Sequence, residues 1–518
     1  MSVHVRQETE QLLTSEGNLY GSTTATSLGS SSMYRSPLEG DAIHRSTGDD
    51  RQVGESFDNI PREKRKLGLF SVVFLIFNRV IGTGIYATPS VILRSSGSVG
   101  VALLMWLIGA LIAAAGTTVY IELGTGLPRS GGEKNYLEFI YRRPKFMMTC
   151  TYSVYALITG SAAANSVVFG EYVIHSLSMT PSQYNTRFVA FLCLTFCLLV
   201  HGTTQKVGLR IQNILGFSKL VILCAIAVSG IFCLAGVPGF GVQDGYEKPR
   251  NFEWDKMWEG SGTGANAFVT GLYNVIWSFI GYSNANYALS EVKDPIRTIK
   301  RAASLAMMFV TMVYMFVNVA YFAAVSKTDI LGSRRIVAAL FFRNLFGPTT
   351  EKALSVFIAL SVLGNLLAGQ FSQGRVVQEL GREGILPYPS FFASNKPFNA
   401  PLAGLFTQYL VSCAFMVAPP PGDAYLFMIS LSSYSLAIIN TLVSLGLLLL
   451  YTRPYREWDW NPPFHAPKFV IVLFCLSNVF LVIVPLIPPT RGSRVYEHLP
   501  YWLHVFVAYL VSLIGMAY

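Results

Sequence analysis

The chain has 518 residues, 52% of them apolar and only 13% Asp, Glu, Lys or Arg, with a net charge of +10 and a mean hydropathy of +0.44. That is about half the charged fraction of an ordinary soluble protein, which excludes a soluble enzyme, a nucleic-acid binder and a secreted scaffold. Apolar stretches of about 20 residues, the length that crosses a bilayer core as a helix, recur along most of the sequence and predict a polytopic membrane protein.

Residues 1–60 carry 16 Ser or Thr, nine acidic residues, four Arg and no Lys, with no helical apolar period. This composition predicts a disordered tail, without the basic start and apolar core of a signal peptide. Within it, Glu8-Thr9-Glu10-Gln11-Leu12-Leu13 is similar to an acidic dileucine sorting signal. The tail is therefore the expected point of contact for sorting or ubiquitin-ligase adaptors, and 61–518 is the expected transmembrane domain.

Twelve apolar stretches are predicted to span the membrane: 68–93, 99–127, 146–175, 187–203, 211–236, 265–290, 302–326, 350–376, 401–418, 424–450, 468–487 and 499–518. An even number puts both termini on one side. With the N-terminus inside, Arg62, Lys64, Arg65, Lys66 and the loops at 128–145, 204–210, 291–301, 375–400 and 451–468 hold 21 basic residues, against 12 on the opposite side. Both termini are thus predicted to be cytoplasmic. The outer segment 327–352, with Lys327, Arg334, Arg335, Arg343 and Lys352, runs against this pattern.

All seven cysteines fall in apolar stretches, which argues against a disulfide framework. Cys193 and Cys197 lie one helical turn apart but have no second pair or nearby His, so no metal is expected. The intramembrane histidines are dispersed, no nucleophile and base share a motif, and neither enzymatic activity nor a cofactor is expected.

Two stretches are interrupted. The first carries Gly82-Thr83-Gly84 at its centre and Pro89 beyond, and the sixth carries Phe279-Ile280-Gly281-Tyr282-Ser283-Asn284. Glycine costs about 1 kcal/mol in a helix interior, and unwound backbone at mid-bilayer survives only where it lines a cavity or is buried in protein. One such break is ordinarily close packing. Two at the start of two five-helix halves point to a transporter binding site. At a break, free N–H groups suit a carboxylate and free carbonyls suit an ammonium, so a zwitterion fits both.

Four motifs stand in order: Gly82-Thr83-Gly84-Ile85-Tyr86; Ile121-Glu122-Leu123-Gly124 leading to Pro128-Arg129-Ser130-Gly131-Gly132-Glu133; Glu291-Val292-Lys293-Asp294-Pro295; and Gly381-Arg382-Glu383-Gly384-Ile385-Leu386-Pro387. Together they resemble the amino acid–polyamine–organocation superfamily, its L-type branch, and most of all the fungal methionine permeases. The resemblance implies an all-α leucine-transporter fold with twelve transmembrane helices, 5+5 inverted repeats over about 68–236 and 265–450, broken helices 1 and 6, and accessory helices over 468–518. It also implies that Val80, Ile81, Gly82, Thr83 and Gly84 meet a substrate carboxylate. Ser278, Phe279, Gly281 and Asn284 would meet its ammonium and side chain. Family members often carry a large aromatic at Ser283 or an acid near Asn284; the lack of an acid here argues against a cationic substrate.

Few charges lie inside the stretches, and each is a functional hypothesis because an ionisable group at mid-bilayer costs about 2.5–3.5 kcal/mol. Lys219, in Gly216-Phe217-Ser218-Lys219-Leu220, is eight residues into the fifth stretch. In similar transporters such a lysine stands where sodium-coupled relatives hold their ion, with Ser361 as its expected neighbour. It is either a coupling group or a permanently charged strut bonded to backbone carbonyls. Arg79 precedes the first break and needs a partner: Glu171, as a gate pair, Glu122, or carbonyls of a broken helix.

The expectation is a secondary active transporter that imports neutral amino acids, with methionine favoured by the resemblance and protons as the coupling ion. An amino acid sensor with the same site and a vacuolar exchanger are the alternatives. The expected partners are the amino acid and the lipid bilayer, with no nucleic acid, and the expected location is the plasma membrane, or failing that the vacuolar membrane.

Overall fold

A computed structural model describes residues 68–517, apart from 129–130, 145–146, 160–161, 263, 334–335, 399, 421–422, 453–459 and 490–495. The predicted tail, its dileucine-like motif, the cluster Arg62 to Lys66, and Arg129, Ser130, Arg334 and Arg335 lie outside the described residues. So does the Glu291 side chain.

The described chain is all-helical. In order it forms α1 (Leu69–Val80), α2 (Pro89–Ser96), α3 (Val99–Gly126), α4 (Glu133–Ile140), α5 (Met147–Thr159), α6 (Ala163–Ser176), α7 (Gln183–Thr203) and α8 (Gln205–Leu234). There follow α9 (Ala265–Phe279), α10 (Pro295–Ala324), α11 (Val337–Phe346), α12 (Pro348–Arg382), α13 (Leu402–Val417), α14 (Ala424–Leu450), α15 (Lys468–Ile483) and α16 (Leu503–Ala517).

Local chemistry sets many of these boundaries. Ser98 caps α3 by accepting from the Val101 N–H at 3.3 Å, and Ser182 and Asn185 form a reciprocal capping box at the start of α7. Gly97, at φ 75°, ends α2 in the left-handed conformation. Pro295 and Pro348 occupy the first turns of α10 and α12, where a missing N–H costs nothing.

Among the described residues, nine helical segments are long and apolar enough to cross a membrane. Three other expected stretches form shorter helices, α9, α13 and α16, of 15, 16 and 15 residues. The segment 327–352 holds a helix that periodicity did not single out, α11, whose Phe341 and Phe342 are buried. Phe188, Phe191, Leu192, Phe196 and Leu199 stand exposed along α7. A continuous apolar face of this kind suits lipid rather than water.

The helices that matter for the site pack in a closed set. α6 packs on α12, α8 on α10 and α12, α10 on α1 and α3, and α9 on α2 and α3.

Candidate functional site

Both predicted breaks are present. α1 stops at Val80, Ile81 turns extended (φ −75°, ψ 98°), and a single helical turn resumes at Gly84–Ala87. α9 stops at Phe279, Ile280 turns extended in ψ (128°), Gly281 takes φ 121°, and a 3-10 turn runs over Asn284–Glu291. That φ is open to glycine and strained for other residues. Among the described residues, the Gly82 and Thr83 N–H groups have no backbone acceptor, and the Phe279 and Ile280 carbonyls have no backbone donor.

The two breaks lie against each other. A Cβ on Gly84 would stand 2.3 Å from Ser278 Oγ, and one on Gly281 would stand 2.7 Å from Arg79 Cγ and 3.2 Å from the Val80 nitrogen. Tyr314 of α10, fully buried, shares its hydroxyl hydrogen between the Val80 carbonyl at 3.1 Å and the Ser278 carbonyl at 2.9 Å. Each of those carbonyls lost its helical partner to a break, so one hydroxyl satisfies a group on both sides. Trp106, Phe279 and Tyr314 form an aromatic cluster behind it, with ring centroids 5.1–6.1 Å apart.

Lys219 of α8 is 1% exposed and donates to the Asn78 carbonyl at 3.0 Å and the Ile81 carbonyl at 2.8 Å. It therefore ties the unwound end of α1 to α8. Ser361 of α12 is buried beside Tyr86 and makes no hydrogen bond to Lys219.

Of the residues singled out in the sequence, Val80, Ile81, Thr83, Gly84, Ser278, Phe279 and Gly281 are buried, and Gly82 and Asn284 half-buried. The fold brings residues 80–84 and 278–281 together. The environment of Arg79 differs from a simple ion pair. Its side chain runs past Gly281 and Gly369, where a Cβ would lie 2.7 Å and 2.9 Å from it. Among the described residues, no ion pair joins it to a carboxylate. Glu171 is buried in α6. Glu122 is engaged elsewhere, accepting from the Tyr451 hydroxyl, from Trp460 Nε1 at 3.0 Å and from the Ala466 N–H at 2.8 Å.

Three contributors escaped the sequence reading. Thr83 Oγ1 donates to Asn165 Oδ1 of α6 at 2.5 Å, and Asn165 Nδ2 donates to Asn365 Oδ1 of α12 at 3.1 Å. Gly82 faces the same Asn365, whose Nδ2 would be 2.9 Å from a Cβ there. Asn165, Asn365 and Tyr314 are polar groups within apolar helices, and that is the signal that could have drawn attention to them.

Residues 67–509 match the family described as amino acid permease. The chain is 43% identical over 493 residues to the high-affinity methionine permease of Saccharomyces cerevisiae, covering 94% of this chain and 85% of that one. It is 30% identical over 486 residues to the low-affinity methionine permease of the same organism, covering 93% and 85%. A third relative, the b(0,+)-type amino acid transporter 1 of Mus musculus, is 26% identical over 464 residues, covering 89% and 90%.

Proposed function

The chain belongs to the amino acid permease family, and on that premise we propose that it is a secondary active transporter importing neutral amino acids, methionine or a close apolar analogue foremost, together with protons. The observation that carries this reading is the pair of facing breaks bridged by Tyr314, with unpaired N–H groups on one and unpaired carbonyls on the other. The N–H groups of Gly82 and Thr83 receive the substrate carboxylate, helped by the positive end of the helical turn that follows. The carbonyls around Phe279 and Ile280 receive the ammonium. Ser278, Gly281 and Asn284 bound the side-chain pocket, and Asn165 and Asn365 orient Thr83.

The architecture that fits this role is the leucine-transporter arrangement: twelve spans, α1 and α9 opening two inverted five-helix repeats, and alternating access around them. The breaks at matching positions support it. The excess of basic residues in alternate loops supports cytoplasmic termini, and a plasma-membrane location is the one that import from the medium would require. Lys219 is the proposed coupling group, since its ammonium sits on the carbonyls of the first break. Arg79 is proposed as a gate residue with backbone and aromatic neighbours on the second break, Glu171 serving the same gate from α6.

The decisive experiment is uptake of labelled methionine by cells lacking their own permeases, with competition by all twenty amino acids at two external pH values. Saturable accumulation, faster at the lower pH and competed by neutral amino acids, is expected. Saturable binding with no accumulation would instead make the protein a sensor.

A further inference from the structure

Two of the sequence motifs, Gly131-Gly132-Glu133 and Gly381-Arg382-Glu383, have no part in the substrate contacts above, yet they meet at one end of the bundle. Glu133 opens α4 and is 3% exposed. One carboxyl oxygen accepts from Ser283 Oγ at 3.0 Å and the other from the Tyr287 hydroxyl. Both donors sit on the segment that follows the second break.

The same segment lies close against α3 and α4 at two glycines. A Cβ on Gly132, itself at φ 57°, would stand 2.9 Å from Tyr287 Cε1, and one on Gly124 would stand 2.4 Å from Asn286 Oδ1. The neighbouring Lys134 pairs with Glu383 at the end of α12 and lies 3.8 Å from Glu138. A short helix thus contacts the segment after the second break on one side and the end of α12 on the other.

The titratable groups facing Glu133 are hydroxyls: Tyr120 from α3, Tyr136 on α4, Tyr152 from α5, and Tyr282 and Tyr287 from the segment after the break. α14 contributes the neutral Asn440, which accepts from Tyr120 at 3.0 Å and donates to Tyr282 at 3.3 Å. Lys134 is taken by Glu383, and Arg79 lies near Tyr287 and Tyr155. Among the described residues no cation contacts Glu133. Burial therefore pushes its carboxyl above the usual range, against the opposing hydrogen bonds of Tyr287, its own backbone, Ser283 and Tyr120.

We propose that Glu133 is a proton-binding site of the cytoplasmic gate, latching the segment after the second break shut and exchanging its proton with the cytosol when that segment swings away. This rests on the transport reading. In the closed gate the buried carboxyl holds a proton more tightly than it does once water reaches it. On opening, water reaches it, the O–H bond breaks, the proton passes to cytosolic water, and the carboxylate returns towards its ordinary value of about 4.3. On closure it takes a proton back from the same compartment, so it gates without adding to the transported charge. Acidifying the cytosol therefore holds the gate shut.

The test measures exchange of external labelled methionine for internal unlabelled methionine in intact cells, so that no net proton flux drives the rate, with cytosolic pH clamped and external pH fixed. The native chain should slow several-fold as the cytosol is acidified, and Glu133→Gln should give a flat profile. Tyr287→Phe, which removes one donor to the carboxylate, should move the native midpoint to higher pH. If Glu133→Gln reaches the surface but does not exchange, the Tyr287→Phe shift decides. A flat native profile, a native-like slope in Glu133→Gln, or an unshifted midpoint in Tyr287→Phe would overturn the proposal. Absence of any methionine exchange by the native chain would overturn the transport reading itself.

Discussion

Gly84 lies so close to Ser278 that a Cβ on the glycine would stand 2.3 Å from the serine Oγ and 2.7 Å from its Cα. One of those atoms is backbone and cannot rotate away, so the two broken helices meet with no room for a side chain. Gly84→Val must push them apart, an overpacking strain of about 1–3 kcal/mol. The expected result is a variant that reaches the cell surface and takes up no methionine. Native uptake at native surface levels would remove residues 80–84 from the substrate site.

Tyr314→Phe keeps the ring in its aromatic cluster and deletes only the hydroxyl shared by Val80 and Ser278. Two buried carbonyls then lose their donor, at a cost of about 1–3 kcal/mol. A lower melting temperature in detergent and a reduced maximal uptake rate are expected. Unchanged values for both would show that the bridge holds nothing.

Lys219→Ala leaves the Asn78 and Ile81 carbonyls unpaired in a buried place. Uptake should fall at least tenfold, and whatever remains should no longer rise as the external medium is acidified. Residual uptake with a native pH profile would assign Lys219 to bracing α1 and leave coupling to another group.

Asn284 begins the 3-10 turn after the second break, half-buried. Asn284→Ala should change which amino acids compete with methionine while preserving methionine uptake within a few-fold. A competition profile identical to the native one would place selectivity on Asn165, Asn365 or the aromatic cluster.

Glu122 predicts a contrasting result, because its three donors belong to the segment joining α14 to α15 and none is a residue of either break. Glu122→Gln turns an amide N–H₂ towards a group that needs an acceptor, a loss of about 1–3 kcal/mol. The melting temperature should drop while uptake per surface molecule stays near native. A selective loss of uptake with unchanged melting would move Glu122 into the transport cycle.

The breaks were legible in the sequence because glycine and proline interrupt otherwise continuous apolar runs, a local signal. The depth of Lys219 was legible for the same reason. The contacts that complete the site were not, since they join distant parts of the chain. Thr83 reaches Asn165 across 82 residues, and Asn165 reaches Asn365 across 200. No periodicity encodes such a pairing. Arg79 shows a second limit: charge matching offered Glu171, Glu122 or the carbonyls of a broken helix without choosing, and the fold runs its side chain past two glycines, at Gly281 and Gly369, a fit of shape that composition does not reveal. The helix Glu133–Ile140 escaped notice because it is short and follows two glycines, although its first two residues make some of the firmest contacts at that end of the bundle.

A dissolved cation that props open a bent helix must be drawn from the surroundings and is lost when they are dilute. The ammonium of Lys219 does the same mechanical work on the Asn78 and Ile81 carbonyls while covalently tethered to the chain. The group that holds these two carbonyls of the first break is therefore inherited with the sequence instead of being drawn from solution.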